Sequence, residues 1–167
     1  ARPERGTLSC GRQRRIGGGG FDNSQHGVET VLRGNVGGDL IETGIWRGGA
    51  CILMRGILAA YEVTDRMVWA ADSFEGVPQP SYPQDEGFDI SALVLPVLAV
   101  SLEQVRELFA CYGLLDEQVR FLKGWFKDTL PAAPIEHLAV LRLDGDLYES
   151  TMDALWPLYH RVSSGGF

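Results

Sequence analysis

The sequence predicts one α/β domain in which a parallel β-sheet is covered by helices on both faces. Two observations predict this fold. Short apolar segments alternate along the 167-residue chain with segments whose apolar residues recur at helical spacing. The apolar segments also lack the polar–apolar alternation of a strand with one face in water, so both faces of each strand should be buried. Connections between the parallel strands should then be right-handed.

Each element follows from a local pattern. Strands are predicted at residues 40–43, 67–72, 118–124 and 138–144. Helices are predicted at residues 49–61, 101–112 and 150–161, after a short helical segment that begins at residue 27. The first of these three helices has its apolar set on one face, namely Ile52, Leu53, Ile57, Leu58 and Tyr61.

Capping residues fix the predicted starts of the two later helices. Ser101 is followed three positions later by Gln104, which is the spacing of a capping box. Ser150 and Asp153 have the same spacing, so Ser150 is predicted to cap the last helix.

The two ends of the chain carry separate expectations. Residues 1–25 lack periodicity and include four consecutive glycines, which predicts a flexible or artificial leader before a domain at residues 26–167. The last residues, SSGGF, form a turn where a fifth strand should begin. Because four strands would leave the fourth as a bare hydrophobic edge, we expect the domain to be truncated, with its C-terminal strands missing.

The composition excludes several classes of protein. A formal net charge of −7 argues against a nucleic-acid partner, since phosphate binding needs a positive surface. The longest apolar run, residues 92–100, is nine residues long and too short to span a bilayer. Three widely spaced cysteines without a CxxC pair argue against a zinc site or a disulfide framework, and they favour a cytoplasmic location.

The first loop, in DLIETGIWRGGAC at residues 39–51, suits a cationic nucleoside better than a dinucleotide. Trp46 occupies the place of the middle glycine of G-x-G-x-x-G, and Glu42 would repel a phosphate by roughly 1 to 4 kcal/mol. S-adenosylmethionine carries an ammonium and a sulfonium, which Glu42 would attract, while Thr43 and Gly44 bring backbone close to its methionine end. The alternative is that Glu42 is a surface acid paired with Arg47.

The next two loops predict the rest of a nucleoside site. Asp72 ends the second strand and could accept hydrogen bonds from both ribose hydroxyls, with Ser73 beside it. Gly124, Trp125 and Phe126 follow the third strand and could flank an adenine ring. The alternatives are that Asp72 only caps its loop before Ser73, and that the two aromatic side chains belong to the core.

The fourth strand ends in two carboxylates, Asp144 and Asp146. Carboxylate oxygens suit Mg²⁺, which could acidify a substrate hydroxyl, and Asp144 could itself accept the proton. The alternative is a simple turn with acids near a helix N-terminus, which is favourable without any ligand.

Four segments in register resemble one family. These segments, GDLIETGIWRGGACILMRGILAAY, VWAADSFEGVP, VRFLKGWFKDTLP and LAVLRLDGDLYESTMDAL, are similar to the macrocin O-methyltransferase family, and the match covers roughly residues 27–167. The resemblance implies a class I methyltransferase (Rossmann-like) fold. It also implies S-adenosylmethionine and Mg²⁺ as cofactors and methylation of a deoxysugar hydroxyl on a macrolide-like natural product.

For the site, the resemblance implies that Glu42 and Gly44 contact the methionine end, that Asp72 is the ribose acid and that Asp144 is a magnesium ligand and possible base. Residues 77–89 would form a lid, and further acids beyond residue 167 would complete the metal site. The substrate would be a glycosylated small molecule, and the protein could form a homo-oligomer. Three rivals remain: a nicotinamide-dependent oxidoreductase, a truncated non-catalytic nucleoside-binding module, and a methyltransferase acting on catechols.

Overall fold

The computed structural model describes residues 18–167, with side chains from residue 23 onward. Most of the predicted leader, residues 1–17, lies outside the described residues. The first helix, α1, spans Gly18–Arg33 and so begins before the predicted domain boundary at residue 26. Glycine is a weak helix former, which is why the sequence favoured a loop here. The helix is fixed by Val28 and Val31, which are fully buried in the core.

The remaining elements alternate as predicted. They are β1 (Asp39–Thr43), α2 (Gly49–Ala60), β2 (Val68–Asp72), α3 (Leu102–Cys111), β3 (Val119–Lys123), α4 (Phe126–Thr129), β4 (Leu138–Leu143) and α5 (Tyr148–Leu158). Short 3₁₀ turns lie at Pro83–Asp85, Pro96–Leu98 and Tyr159–Arg161. None of the helices within residues 18–167 has the length and apolar content needed to cross a bilayer.

The four strands form one parallel sheet in the order β3-β2-β1-β4. Chain order therefore reverses at β1, which has β2 on one side and β4 on the other. In open α/β sheets, ligands bind outside the carboxyl ends of the strands near such a switch point. The topology places that point between the loops that follow β1 and β4.

Each face of the sheet has its own core, as the near-continuous apolar strands predicted. Leu40 packs into the core on the side of α1 and α2, while its neighbour Ile41 packs into the opposite core with Leu158 of α5. Successive strand residues point to opposite faces, so a strand buried on both sides must be apolar throughout. The prediction of helices on both faces is confirmed.

Two helix starts had been predicted from capping residues, and they have different outcomes. Ser101 and Gln104 form the expected capping box, with the Gln104 N–H donating to Ser101 Oγ at 3.3 Å. The prediction for Ser150 is wrong, because α5 begins earlier and Ser150 is buried within it. The residue before α5 is Leu147, which has no polar side chain, so the cap must come from elsewhere in the fold.

The outer edge of β4 is partly covered by the last residues of the chain. The Ser163 N–H donates to the Leu138 carbonyl at 2.8 Å, and the Phe167 N–H donates to the Ala139 carbonyl at 2.9 Å. Leu138 and Val162 also form a parallel bridge. Residues 162–167 thus run alongside β4 in the direction that a neighbouring parallel strand would take.

Candidate active site

A cavity opens at the carboxyl ends of the strands, and the loops after all four strands line it. The loop after β1 contributes Gly44 and Trp46, and the loop after β2 contributes Asp72 and Ser73. The other two loops contribute residues 124–127 and 144–146. Most of the predicted site residues therefore meet in one place, as expected for the ends of parallel strands.

The loop after β1 is tight because it contacts the loop after β4. Gly44 has a φ of +82°, and a Cβ at this position would collide with the Asp144 carbonyl. Trp46 also has a left-handed φ, of +48°, at the position where a dinucleotide loop would have its middle glycine. Its indole N–H donates to the Val97 carbonyl at 3.0 Å, and the Arg47 guanidinium lies 4.8 Å from its ring centroid.

Asp72 holds the first two loops together from the wall of the cavity. Its Oδ2 accepts hydrogen bonds from the backbone N–H groups of Ile45 at 2.9 Å and Trp46 at 3.2 Å. Its Oδ1 accepts from the Phe74 N–H at 2.8 Å. Burial raises the pKa of Asp72, and these hydrogen bonds oppose that rise. The capping interpretation of Asp72 is therefore correct, while its predicted contact with a ribose stays a prediction.

Glu42 and Thr43 do not line the cavity, in contrast to the expectation of direct contact with the methionine end. The Glu42 carboxylate is only 2% exposed and lies 3.1 Å from Arg142 Nη1, while the Cys51 thiol donates to its other oxygen at 3.2 Å. The alternative of a surface pair with Arg47 is wrong, because Glu42 is buried and Arg47 stacks on Trp46. The predicted contact of Glu42 and Thr43 with the methionine end stays a prediction.

The charge state of Glu42 reflects this burial. Burial raises the pKa of Glu42 from 4.5 to about 7, although the nearby Arg142 lowers it. Arg142 is a site residue that the sequence analysis did not select. The available signal was that Arg142 is the one charged side chain inside the apolar segment at residues 138–143.

The loop after β3 combines a backbone link with aromatic side chains. The Gly124 N–H donates to the Asp72 carbonyl at 2.9 Å, which joins this loop to the end of β2. Trp125 is 38% exposed, and both Trp125 and Phe126 line the cavity. Phe126 also packs against the core on the side of α5, as the packing interpretation expected, while its predicted contact with an adenine stays a prediction.

The loop after β4 and the start of α5 make the cavity acidic. The Asp144 side chain is 51% exposed, and its Oδ2 forms an ion pair with Arg142 Nη1 at 2.8 Å. Partial burial and the neighbouring charge of Asp144 raise the pKa of Asp146. Glu149 and Asp153 of α5 also line the cavity. Together these side chains create a negative potential that favours a cationic ligand.

A metal fits only part of this arrangement. Asp144 and Asp146 offer the hard oxygen donors that Mg²⁺ prefers, and Mg²⁺ often uses one or two carboxylates with waters. Within residues 18–167, however, no group of three or more metal-ligating side chains comes together. The described residues therefore supply at most a partial set of ligands.

The segment at residues 77–89, predicted as a lid, reaches across to α5. Val77 and Pro78 line the cavity. Farther along, the buried Asp85 accepts hydrogen bonds from the backbone N–H groups of Tyr148 at 2.8 Å and Glu149 at 3.4 Å. Asp85 thus supplies the helix cap that Leu147 cannot provide. No local sequence pattern indicates this pairing, because Asp85 and Tyr148 are 63 residues apart.

Comparisons with known proteins agree with this geometry. The sequence profile of a family described as Macrocin-O-methyltransferase (TylF) matches residues 4–167. The chain is 60% identical over 150 residues to demethyldecarbamoylnovobiocin O-methyltransferase of Streptomyces niveus, covering 88% of this chain and 57% of that protein. It is 56% identical over 151 residues to mycinamicin III 3''-O-methyltransferase of Micromonospora griseorubida, covering 88% and 59% of the two chains.

Solved structures give the same picture. The O-methyltransferase NovP superposes with a TM-score of 0.84 at 60% identity, over 87% of this chain and 61% of that one. CalS11, a calicheamicin methyltransferase, has a TM-score of 0.68 at 19% identity, over 89% and 62% of the two chains, and shows a similar fold. The chain spans less than two thirds of the length of each of these relatives.

Proposed function

This chain belongs to the macrocin-O-methyltransferase (TylF) family, and from that premise we propose that its cavity binds S-adenosylmethionine for transfer of a methyl group to a sugar hydroxyl. The observation that carries the proposal is the acidic cavity at the ends of four parallel strands. Its lining includes five carboxylates and one lysine, which suits a cationic methyl donor. The same potential disfavours the pyrophosphate of a nicotinamide dinucleotide.

The donor would lie along the three loops that the structure joins through Asp72. Gly44 and Gly124 expose backbone at the cavity wall, where no side chain blocks a ligand. Trp125 offers an exposed aromatic face against which an adenine could stack. Asp72 and Ser73 also line the cavity, and we assign the ribose to this part of it.

Asp144 is the group that we assign to the acceptor hydroxyl. As a general base it would take the hydroxyl proton while the hydroxyl oxygen forms a bond to the methyl carbon. The bond between that carbon and the sulfonium sulfur breaks at the same time, and its electron pair stays on sulfur in S-adenosylhomocysteine. Mg²⁺ held by Asp144 and Asp146 would lower the pKa of the hydroxyl. Placing the two reactants in line supplies much of the rate enhancement.

The acceptor would be a deoxysugar hydroxyl on a glycosylated, macrolide-like natural product. The names of the relatives support this class, since one acts on mycinamicin III and another on a rhamnosyl-tetracenomycin of Streptomyces olivaceus. Neither Cys51 nor Cys111, the two cysteines within the described residues, forms a disulfide, which suits the reducing cytoplasm that we propose as the location of this step.

Calorimetric titration of the intact gene product tests the donor. We expect S-adenosylhomocysteine to bind and NAD not to bind, and the reverse would reject the proposal in favour of an oxidoreductase. A methyl-transfer assay with glycosylated macrolides and with catechols then tests the acceptor. Turnover of catechols alone would assign the rival methyltransferase class. Binding of S-adenosylhomocysteine without turnover of either class of acceptor, whether Mg²⁺ or EDTA is present, would indicate a non-catalytic binding module.

A further inference from the structure

Three charged side chains form a chain of contacts from the core to the cavity. Glu42 on β1 and Arg142 on β4 are direct partners in the parallel ladder, and Asp144 follows two residues after Arg142. Residues two apart on a strand point to the same side, so all three side chains can meet. Arg142 Nη1 lies 3.1 Å from Glu42 and 2.8 Å from Asp144, and the side chains are 2%, 21% and 51% exposed from Glu42 outward.

The buried end of this chain is fixed on both oxygens. Glu42 Oε1 contacts Arg142, and Oε2 accepts the hydrogen bond from the Cys51 thiol of α2. A buried carboxylate costs free energy unless it is paired, so the contact with Arg142 is what makes the position of Glu42 tolerable. The same contact limits the orientations that Arg142 can adopt.

The exposed end of the chain is the carboxylate that the proposed reaction uses. Asp144 lies in the loop that directly follows β4, where its side chain could take several rotamers if nothing held it. The contact with Arg142 holds one carboxylate oxygen, Oδ2, and the half-exposed Asp144 side chain lines the cavity. Arg142 is absent from the cavity lining, and Asp144 is the lining residue that it contacts, so Asp144 is the side chain through which it would act on the reaction.

We propose that Arg142 is a positioning residue that aims the Asp144 carboxylate at the acceptor hydroxyl, and that Glu42 serves to hold Arg142 rather than to contact the methyl donor. This inference rests on the proposed function, and it names two residues whose effect on the reaction is indirect. Misplacement of a reacting group by about 1 Å can lower turnover by about a hundredfold.

The test compares Arg142→Met with Arg55→Met in the intact gene product. Arg55 is a matched control, because it is a buried arginine in a two-point ion pair with Asp116 and does not line the cavity. Both variants should lose stability. We expect Arg142→Met alone to lower kcat, by about 10- to 100-fold, while the Kd for S-adenosylhomocysteine changes less than threefold. Arg142→Lys should recover part of the lost kcat, since its ammonium can still contact Asp144.

Glu42→Gln separates the two roles proposed for Glu42. An amide oxygen can still accept from Arg142, so we expect a smaller loss of kcat than in Arg142→Met and an unchanged Kd for S-adenosylhomocysteine. A crystal structure of Arg142→Met should show the Asp144 side chain displaced or in several rotamers, and that of Arg142→Lys should not.

Several results would overturn the inference. The first is a kcat of Arg142→Met that stays within twofold of the unmodified enzyme; if that variant does not fold, the same result in Arg142→Gln, whose shorter neutral side chain loses the ion pair, has the same meaning. The second is an equal loss of kcat in Arg55→Met. The third is a Glu42→Gln enzyme whose Kd for S-adenosylhomocysteine rises tenfold. In each case the unmodified enzyme still transfers methyl groups. An unmodified enzyme that neither binds S-adenosylhomocysteine nor turns over would instead contradict the proposed function.

Discussion

Replacing Glu42 with Gln should change how stability depends on pH. Burial raises the pKa of Glu42 from 4.5 to about 7 in the folded protein, so the folded state holds this proton more tightly than the unfolded state does. The stabilisation from that proton is complete below pH 4.5 and is lost as the pH rises through about 7. A rise in pKa of this size corresponds to about 3 kcal/mol. Glutamine does not titrate, so the variant lacks this loss.

Urea unfolding of both proteins, at several pH values from 4.5 to 8.5 and in EDTA, measures the effect. The free energy of unfolding of the variant minus that of the unmodified protein should rise by about 3 kcal/mol from pH 4.5 to pH 8.5. Most of this rise should occur between pH 5 and 7.5. The pH dependence isolates the titration of Glu42 from any constant cost of replacing its contacts with Arg142 and Cys51. Two curves that stay parallel over the whole range would refute the rise in the pKa of Glu42 that we attribute to its burial.

Two further substitutions test the loops that build the cavity. Gly44→Ala should lower the free energy of unfolding in urea by at least about 2 kcal/mol more than Gly113→Ala does. Both glycines have positive φ, but only a Cβ at Gly44 would collide with the Asp144 carbonyl. Equal losses in the two variants would contradict the close approach of these loops. Asp85→Ala should lower the free energy of unfolding by about 1 kcal/mol or more, as expected for loss of a helix cap. An unchanged midpoint in urea would mean that Asp85 does not cap α5.

The strands and most helices could be predicted because their signals are local. The buried strands are short apolar runs, and α2 shows its apolar face directly in the sequence. The start of α5 could not be predicted, since Ser150 has the sequence of a cap while the real acceptor, Asp85, comes from a distant loop. The four-residue helix α4 is too short to produce a periodic pattern.

The sequence predicts the site residues that lie at the ends of strands, but it does not predict the pairs that depend on the register between neighbouring strands. Gly44, Asp72 and Asp144 meet at one cavity because parallel strands end at the same edge of the sheet. The partner of Glu42 was sought nearby, at Arg47, but the ladder sets Arg142 of β4 opposite Glu42. Strand order and register arise from packing of the whole fold, so residue spacing alone cannot give such a pair.

A crystal structure of the intact gene product with S-adenosylhomocysteine tests the central claim most directly. The account predicts that the ligand lies in the acidic cavity, with its adenosine beside Asp72 and Trp125 and its sulfur directed towards Asp144. Glu42 should remain in contact with Arg142. Ligand density outside this cavity would contradict the claim that the ends of these strands bind a methyl donor.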